Sequence, residues 1–183
     1  QPDYFAVVYD SKQPTFRHEK YPDYKSHRAK MPDELVAQLP RIHEAVQALN
    51  IAEVEMPGFE ADDLIATLAR KGEREGLDVW CMTGDKDYFQ LGTEHIRIYH
   101  ISQFSKGEPM GPAEVLAKFG VKPEQVVDKL ALMGDASDNI PGVPGIGAKT
   151  ADSLLAQFGT LDKVLAGIDQ VTAKGVREKL AAN

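Results

Sequence analysis

The segment that best indicates the fold is Asp78-Val79-Trp80-Cys81-Met82-Thr83-Gly84-Asp85-Lys86-Asp87. Its short apolar run, Val79 to Met82, is followed by two acidic residues, Asp85 and Asp87. An apolar run of this length is typical of a strand that is buried on both faces of a sheet. A second run, Phe5 to Tyr9, has the same character and ends at Asp10. Each run therefore predicts a buried strand with carboxylates just beyond its carboxyl end.

Two helical patterns lie between these strands. Apolar residues recur at spacings of three and four from Leu35 to Leu49, and we expect Pro40 to kink or divide that helix. A short strand follows at residues 51–56, and the segment Glu60-Ala61-Asp62-Asp63 opens the next helix. A further strand at 95–99 is predicted nearer an edge. The alternation of strands and helices predicts an α/β fold with a mostly parallel twisted sheet flanked by helices, PIN-like or Rossmann-like.

Acidic residues are concentrated where such a sheet binds its ligands, beyond the carboxyl ends of the strands. The net charge of −7 disfavours a nucleic-acid partner only if the acidic residues are spread evenly. Removing eight clustered ones from the 28 leaves 20 against 21 Lys and Arg. The eight, which we expect to meet at one rim, are Asp10, Glu60, Asp62, Asp63, Asp85, Asp87, Asp135 and Asp138. Carboxylates without His or Cys favour Mg²⁺ or Mn²⁺, and eight of them favour two ions.

The last two of these carboxylates open the stretch from Gly134 to Thr150. Asp135 and Asp138 are three residues apart, so on a helical turn they would share one face. The glycine-rich turn at 142–147 then leads into a predicted helix at 148–158, whose N-terminus is a candidate anion site. Metal ligands beside a phosphate site predict metal-dependent phosphodiester hydrolysis.

Residues 12–30 form the most basic window of the chain, with aromatic residues interleaved. Cations that follow phosphates and rings that stack on bases are typical of contact with single-stranded nucleic acid. We expect Arg17, Lys25 and Arg28 to bind the phosphate that is cut. A solvated surface segment is the alternative for these residues.

Other features limit the class of protein. The single cysteine, Cys81, lies in an apolar run and predicts a buried structural thiol. The five histidines lack the spacing of a zinc site and are interpreted as surface residues. The chain contains no apolar run of membrane-spanning length and no signal peptide, so we expect a cytoplasmic protein without a membrane partner.

In their order and spacing, the motifs of this chain resemble the 5′ nuclease domain of bacterial DNA polymerase I, a member of the flap endonuclease superfamily. The matching segments are Val8-Tyr9-Asp10, Thr15-Phe16-Arg17-His18-Glu19, Tyr24-Lys25-Ser26-His27-Arg28, Glu60-Ala61-Asp62-Asp63, Thr83-Gly84-Asp85-Lys86-Asp87 and Gly134-Asp135-Ala136-Ser137-Asp138-Asn139 with the following Gly-Val-Pro-Gly-Ile-Gly. The resemblance implies a monomeric nuclease of replication and repair. Its substrate would be DNA with a 5′ single-stranded flap or an RNA primer, cut near the junction with duplex in a bacterial, nucleoid-associated setting.

The resemblance also implies roles for residues and a division into domains. The eight acidic residues match metal ligands, and residues 12–32 match a helical arch in which Arg17, Lys25 and Arg28 contact phosphate and Tyr24 stacks. A helix-turn-helix element that grips duplex DNA would use Gly142, Gly145, Gly147, Lys149 and Thr150, with K⁺ at the carbonyls of Val143 and Ile146. The implied domains are an α/β catalytic core at 1–110 and a helical subdomain at 111–183.

The sequence departs from the family pattern at its beginning. The family has an additional first strand that ends in a metal-binding Asp-Gly, and this strand is not part of the sequence before Tyr4. We therefore interpret the chain as an excerpt of a longer polymerase I chain. A non-catalytic module that binds branched DNA is the alternative function. A related acidic-site ribonuclease or phosphatase is a third reading, which the basic arch disfavours.

Overall fold

The computed structural model describes residues 2–102 and 105–183, without the side chains of residues 102–106. The chain divides into two compact units, residues 1–68 and residues 69–183. Both units combine helices with strands, and two of the strand pairs are parallel. The predicted α/β fold class is therefore confirmed.

The first unit is built on one parallel strand pair. Its strands are β1 (Ala6–Val8) and β2 (Ala52–Val54), and Val7 lies opposite Glu53. Its helices are α1 (Phe16–Lys20), α2 (Asp33–Val36), α3 (Leu39–Ala48) and the beginning of α4 (Ala61–Arg74). Pro40 lies in the first turn of α3, where its missing N–H costs nothing. The expected division of the long helical pattern at this proline is confirmed.

The prediction that β1 is buried on both faces is wrong. Phe5 is 50% exposed, Ala6 is exposed, and Val7 and Val8 are only half-buried. Among the described residues, β1 pairs with β2 alone. Apolar composition identified the strand, but the depth at which it is buried depends on what packs against it.

The second unit contains the rest of α4 and a three-stranded sheet in the order β3, β4, β5. Its strands are β3 (Val79–Thr83), β4 (Ile96–Ser102) and β5 (Ser105–Met110), with β3 parallel and β5 antiparallel to β4. A 3-10 helix at Lys86–Leu91 follows β3. Ile96 and Ile98 are completely buried. The expectation that this strand lies near an edge is therefore wrong, because β5 pairs with its other side.

The strand β3 is the edge of that sheet, and its side chains alternate in exposure. Cys81 is buried as expected, and burial raises the pKa of its thiol to about 11. Trp80 is 53% exposed and Met82 is 58% exposed. The prediction that β3 is buried on both faces is wrong for the face that these two residues occupy.

Helices make up most of the remaining chain, and the helix predicted at 148–158 appears with these bounds. They are α5 (Pro112–Phe119), α6 (Val126–Met133), α7 (Ala148–Phe158), α8 (Leu161–Ala166) and α9 (Lys174–Ala181), with 3-10 helices at Pro123–Gln125 and Ile168–Gln170. A two-residue strand pair, β6 (Gly134–Asp135) and β7 (Ile140–Pro141), lies between α6 and α7. None of the described helices is long and apolar enough to cross a membrane.

A buried charged residue joins three of these helices. The side chain of Lys129 in α6 is 5% exposed, and its ammonium lies 2.6 Å from Asp152 Oδ1 in α7. The same ammonium donates to the Phe119 carbonyl at the end of α5 and lies 4.4 Å from the centre of the Phe119 ring. Because α6 leads to Asp135 and α7 follows the glycine turn, this contact ties together the two ends of the stretch from Gly134 to Thr150.

Candidate metal centre

Acidic residues of the first unit meet at the beginning of α4. Asp10 follows β1 closely, and its Oδ1 accepts a hydrogen bond of 2.7 Å from the Ala61 backbone N–H. A carboxylate at a helix N-terminus is favoured by the free amide groups and the helix dipole. Glu60 is only 8% exposed, and the Glu60 backbone N–H donates to Asp63 Oδ2 at 3.1 Å. Tertiary structure thus brings Asp10 to the segment that carries Glu60 and Asp63.

Cations of the basic window pair with these carboxylates. Arg17 donates two hydrogen bonds of 2.7 Å to the two oxygens of Asp63, and its Nη1 lies 3.3 Å from Glu60. Lys25 Nζ lies 2.8 Å from Glu60 Oε1. The structure therefore places Arg17 and Lys25 beside predicted metal ligands. Of the other residues expected here, Asp62 is half-buried and Arg28 is exposed.

The bidentate contact with Arg17 changes the acidity of Asp63. The hydrogen bonds from Arg17 lower the pKa of the Asp63 carboxyl below its ordinary value, and they outweigh the opposite effect of burial. Asp63 is therefore ionised throughout the neutral range, as a metal ligand must be.

Tyr24, for which stacking on a base was expected, is buried in the structure. The residue is 6% exposed, and its hydroxyl donates to Glu60 Oε2 at 2.9 Å. The His18 ring packs against the Tyr24 ring at 5.4 Å between centroids. In this arrangement, the Tyr24 ring does not present an open face to a base. Its hydroxyl instead helps to hold Glu60.

The basic window is less helical than the resemblance implies. Helix α1 covers only Phe16–Lys20, and turns follow at residues 22–27. Lys25 has a φ of +54°, a left-handed conformation that is uncommon outside glycine and is concentrated at functional sites. The expectation of a helical arch over residues 12–32 is therefore wrong outside α1.

Two acidic residues of the second unit follow β3. Asp85 precedes the 3-10 helix, and its Oδ1 accepts from the Asp87 N–H at 2.9 Å. Burial raises the pKa of Asp87, and the negative charges of Asp85 and Asp135 raise it further. Carboxylates that destabilise one another in this way are favourable partners for a cation.

The two acidic residues after α6 lie beside Asp87. Asp135 is 8% exposed in β6, and Asp138 lies in the following turn, where its N–H donates to the Asp135 carbonyl at 3.3 Å. The two residues do not share a helical turn, because Asp135 lies in a strand and a turn follows it. Nevertheless, carboxylate oxygens of Asp87, Asp135 and Asp138 all lie within 4.8 Å of one another.

These three carboxylates suit a hard divalent cation. Three carboxylate oxygens without a nitrogen or sulfur ligand match the preference of Mg²⁺ and Mn²⁺. Within the described part of the chain, the buried Asp87 Oδ1 accepts no hydrogen bond, although the Lys86 ammonium lies 3.4 Å from it as an ion-pair partner. A buried acceptor without a hydrogen bond is costly unless a cation or water satisfies it. The residues therefore fit such an ion.

Two residues near these carboxylates were missed by the sequence reasoning. Lys86 Nζ lies 2.8 Å from Asp135 Oδ2, and the backbone N–H and hydroxyl of Ser137 both donate to Asp135 Oδ1. Burial raises the pKa of Asp135, but the hydrogen bonds from Lys86 and Ser137 outweigh it and hold the pKa below its ordinary value. The position of Lys86 between two predicted ligands was the available signal.

The glycine turn brings backbone segments close together. A Cβ at Gly142 would lie 2.2 Å from the Gly134 nitrogen, so only glycine fits there. Gly145 has a φ of +78°, and its carbonyl accepts from Lys179 Nζ at 2.9 Å. Gly147 begins α7 without a side-chain cap. The Val143 carbonyl accepts from the Ile146 N–H at 2.9 Å, and the predicted K⁺ site at these two residues stays a prediction.

Two family models of known proteins together match the whole chain. Residues 1–120 match the family model of the 5′-3′ exonuclease N-terminal resolvase-like domain, and residues 121–183 match that of the 5′-3′ exonuclease C-terminal SAM fold. A thermostable DNA polymerase I of Thermus thermophilus is 45% identical over 177 residues, which are 97% of this chain and 21% of that protein. DNA polymerase I of Bacillus caldotenax is 44% identical over 181 residues, 98% of this chain and 21% of that protein. The chain thus spans about a fifth of the length of these relatives.

A solved structure shares the fold over almost the entire chain. It is a flap endonuclease of bacteriophage T5 in a pseudo-enzyme–product complex with DNA and metal ions. The likeness has a TM-score of 0.79 at 25% identity and covers 98% of this chain and 69% of that one. An acidic centre that suits metal therefore occurs here on a fold that a metal- and DNA-bound nuclease also has.

Proposed function

Since the chain belongs to the 5′-3′ exonuclease family, we propose that it is a structure-specific 5′ nuclease of DNA replication and repair. Its reaction is hydrolysis of a phosphodiester near the junction of a 5′ flap with duplex DNA. The observation that carries the proposal is the carboxylate trio of Asp87, Asp135 and Asp138, which suits a divalent cation. In the longer relatives this activity would be one part of DNA polymerase I.

Acidic and basic residues have different roles in the proposed reaction. The eight predicted acidic residues would hold Mg²⁺ or Mn²⁺, and two such ions supply a metal-activated hydroxide and stabilise the leaving oxygen. Arg17 and Lys25, which pair with Glu60 and Asp63, would exchange those carboxylates for phosphate oxygens. Arg28 lies exposed in the same basic window for a further phosphate contact.

The helical region would bind the duplex. The uncapped beginning of α7, with Lys149 and Thr150 in its first turn, offers backbone amides to a phosphate. The carbonyls of Val143 and Ile146 stay our candidates for a K⁺ that bridges protein and DNA. We retain the division into a catalytic core at 1–110 and a helical subdomain at 111–183, a monomeric state and a cytoplasmic, nucleoid-associated location as parts of this proposal.

The test is cleavage of a labelled 5′-flap duplex by this chain in Mg²⁺ and in EDTA. We expect a product with a 5′-phosphate in the presence of Mg²⁺ and no product in EDTA. Asp138→Asn should reduce the rate by about 100-fold or more, because even residues that only support metal ligands contribute about 10- to 100-fold. Asp169→Asn, at an exposed position on a 3-10 helix, is the matched control and should cut normally.

Two outcomes would replace the proposal. Salt-sensitive binding to branched DNA with no product in any metal would indicate the binding module instead. Preferred cleavage of unbranched RNA or of small phosphomonoesters would indicate a related ribonuclease or phosphatase. Equal rates for Asp138→Asn and the control would remove Asp138 from the metal ligands.

A further inference from the structure

Lys86 contacts the same oxygens that would bind a metal in the second unit. Its Nζ lies 2.8 Å from Asp135 Oδ2, 3.3 Å from the Ser137 hydroxyl and 3.4 Å from Asp87 Oδ1. Asp87 and Asp135 are two of the three carboxylates that lie within 4.8 Å of one another. A positive charge of the protein itself is therefore inserted among the candidate ligands.

The local chain makes this contact a consequence of the fold. Lys86 is the first residue of the 3-10 helix that Asp85 caps, and Asp87 follows directly. The Lys86 side chain crosses from this helix to Asp135 on β6, 49 residues later. Its side chain is 33% exposed, while that of Asp135 is 9% exposed. The lysine side chain is thus more exposed to solvent than the carboxylate with which it pairs.

An ammonium group and a divalent ion are alternative partners for these oxygens. A lysine side chain is a compact point charge on a flexible stem, so it can leave a contact without disturbing the backbone. A divalent ion would bind carboxylate oxygens at about 2.0 to 2.5 Å. With an ammonium still at Asp135 Oδ2, the two cations would repel each other at close range.

We propose that Lys86 is the resident counter-ion of the second-unit carboxylates and that a divalent cation binds them in exchange for its ammonium. Without metal, the ammonium compensates the clustered negative charge of Asp87 and Asp135. When metal binds, Nζ leaves Asp135 and turns towards solvent. Lys86 thereby stabilises the metal-free protein and weakens metal binding. This inference rests on the metal site of the proposed function and names a residue that tunes its affinity.

The test measures metal binding directly and without DNA. Free Mn²⁺ is followed by electron paramagnetic resonance during titration of the wild-type chain, Lys86→Gln and Lys163→Gln, at fixed pH and ionic strength. We expect Lys86→Gln to bind Mn²⁺ about tenfold more tightly, within the roughly 5- to 150-fold range of ordinary coupling between sites. Lys163→Gln, at an exposed position in α8, should bind like the wild type.

Thermal unfolding supplies a second measurement on the same proteins. In EDTA, Lys86→Gln should melt at a lower temperature than the wild type, because Asp135 has lost its cation. Saturating Mn²⁺ should raise the melting temperature of Lys86→Gln by more than that of the wild type. Unchanged or weaker Mn²⁺ affinity in a folded Lys86→Gln would overturn the exchange and leave Lys86 as a support for the ligands.

A wild-type experiment covers the case in which Lys86→Gln does not fold. Nuclear magnetic resonance of isotope-labelled lysine ammonium groups should show a slowly exchanging signal for Lys86 in the metal-free chain, and Mg²⁺ should abolish it. A Lys86 signal that persists in saturating Mg²⁺ would refute the exchange. A missing metal site would be detected separately, because the wild type and Asp138→Asn would then bind Mn²⁺ equally weakly. That result would also refute the exchange.

Discussion

The buried pair of Lys129 and Asp152 allows a quantitative prediction about stability. The Lys129 side chain is 5% exposed and that of Asp152 is 31% exposed, so the two variants leave different groups behind. Asp152→Ala leaves a buried ammonium with the Phe119 carbonyl and ring as its remaining partners. Breaking a buried pair from one side costs roughly 3–5 kcal/mol, and the remaining partners place this variant near the lower value, about 3 kcal/mol.

Removing the other partner should cost less. Lys129→Met keeps an apolar stem in the buried position. It leaves two acceptors without their donor, the Phe119 carbonyl and Asp152, whose side chain is 31% exposed although its Oδ1 is buried. We expect a loss of about 1–2 kcal/mol, the cost of a buried acceptor without a partner. The double variant should cost no more than Lys129→Met, so the two changes are far from additive.

The assay is urea unfolding followed by circular dichroism, with the midpoint and slope compared for every variant. Glu178→Ala is the matched control, because its ion pair with Lys174 is 3.8 Å long and both side chains are mostly exposed. That surface pair should contribute at most about 1 kcal/mol. The reasoning is refuted if Asp152→Ala costs no more than Glu178→Ala, or if Lys129→Met is the more damaging change.

Three further predictions concern single contacts. Gly142→Ala would place a Cβ 2.2 Å from the Gly134 nitrogen, so we expect a loss of about 1–3 kcal/mol in thermal unfolding. Arg17 lowers the pKa of Asp63, so their contact stabilises the folded chain at pH values above the ordinary carboxyl pKa of about 3.9. This stabilisation is lost as the pH falls from about 3.9 through the lowered pKa of Asp63. Arg17→Met should weaken this pH dependence in unfolding experiments. Cys81 is buried with a thiol pKa of about 11, so it should react with iodoacetamide at mildly alkaline pH only after unfolding.

Each of these predictions has its own control. Gly175→Ala adds a Cβ with no atom within 4 Å in helix α9 and should not destabilise the chain. The control for Arg17→Met is Arg41→Met, which removes an exposed ion pair with Glu44. It should leave the pH dependence of unfolding unchanged. Equal losses of stability for the two glycine variants would contradict the argument about Gly142. Equal acid unfolding profiles for the two arginine variants would contradict the argument about Arg17. Rapid labelling of native Cys81 would contradict its burial.

Much of the fold could be predicted because local patterns report local structure. The helices α4 and α7, the division of the helical pattern at Pro40 and the strand β3 all follow from apolar spacing and turn residues. Strand β5 was missed, because its sequence Ser105-Lys106-Gly107-Glu108-Pro109-Met110 carries neither an apolar run nor an alternating pattern. That omission in turn misplaced β4 at an edge.

The candidate site was predictable in its residue types but not in its contacts. The spacing of Asp85, Asp87, Asp135 and Asp138 identified acidic residues of metal-binding character, and three of these four lie together. The partners Arg17, Lys25 and Lys86 come from positions up to 49 residues away from the carboxylates with which they pair. Long-range pairing of this kind leaves no periodic signal in the chain.

The sequence by itself determined the kind of chemistry, because clustered carboxylates without His or Cys select hard cations wherever the chain places them. It also determined the family, to which relatives at 45% and 44% identity over nearly the whole chain also point. Only the tertiary structure decided which charges meet. It placed Lys86 on Asp135 and Arg17 on Asp63, and it left Trp80 half-exposed on an edge strand. The physical reason is that burial and ion pairing depend on distance in space, which residue spacing along the chain does not specify.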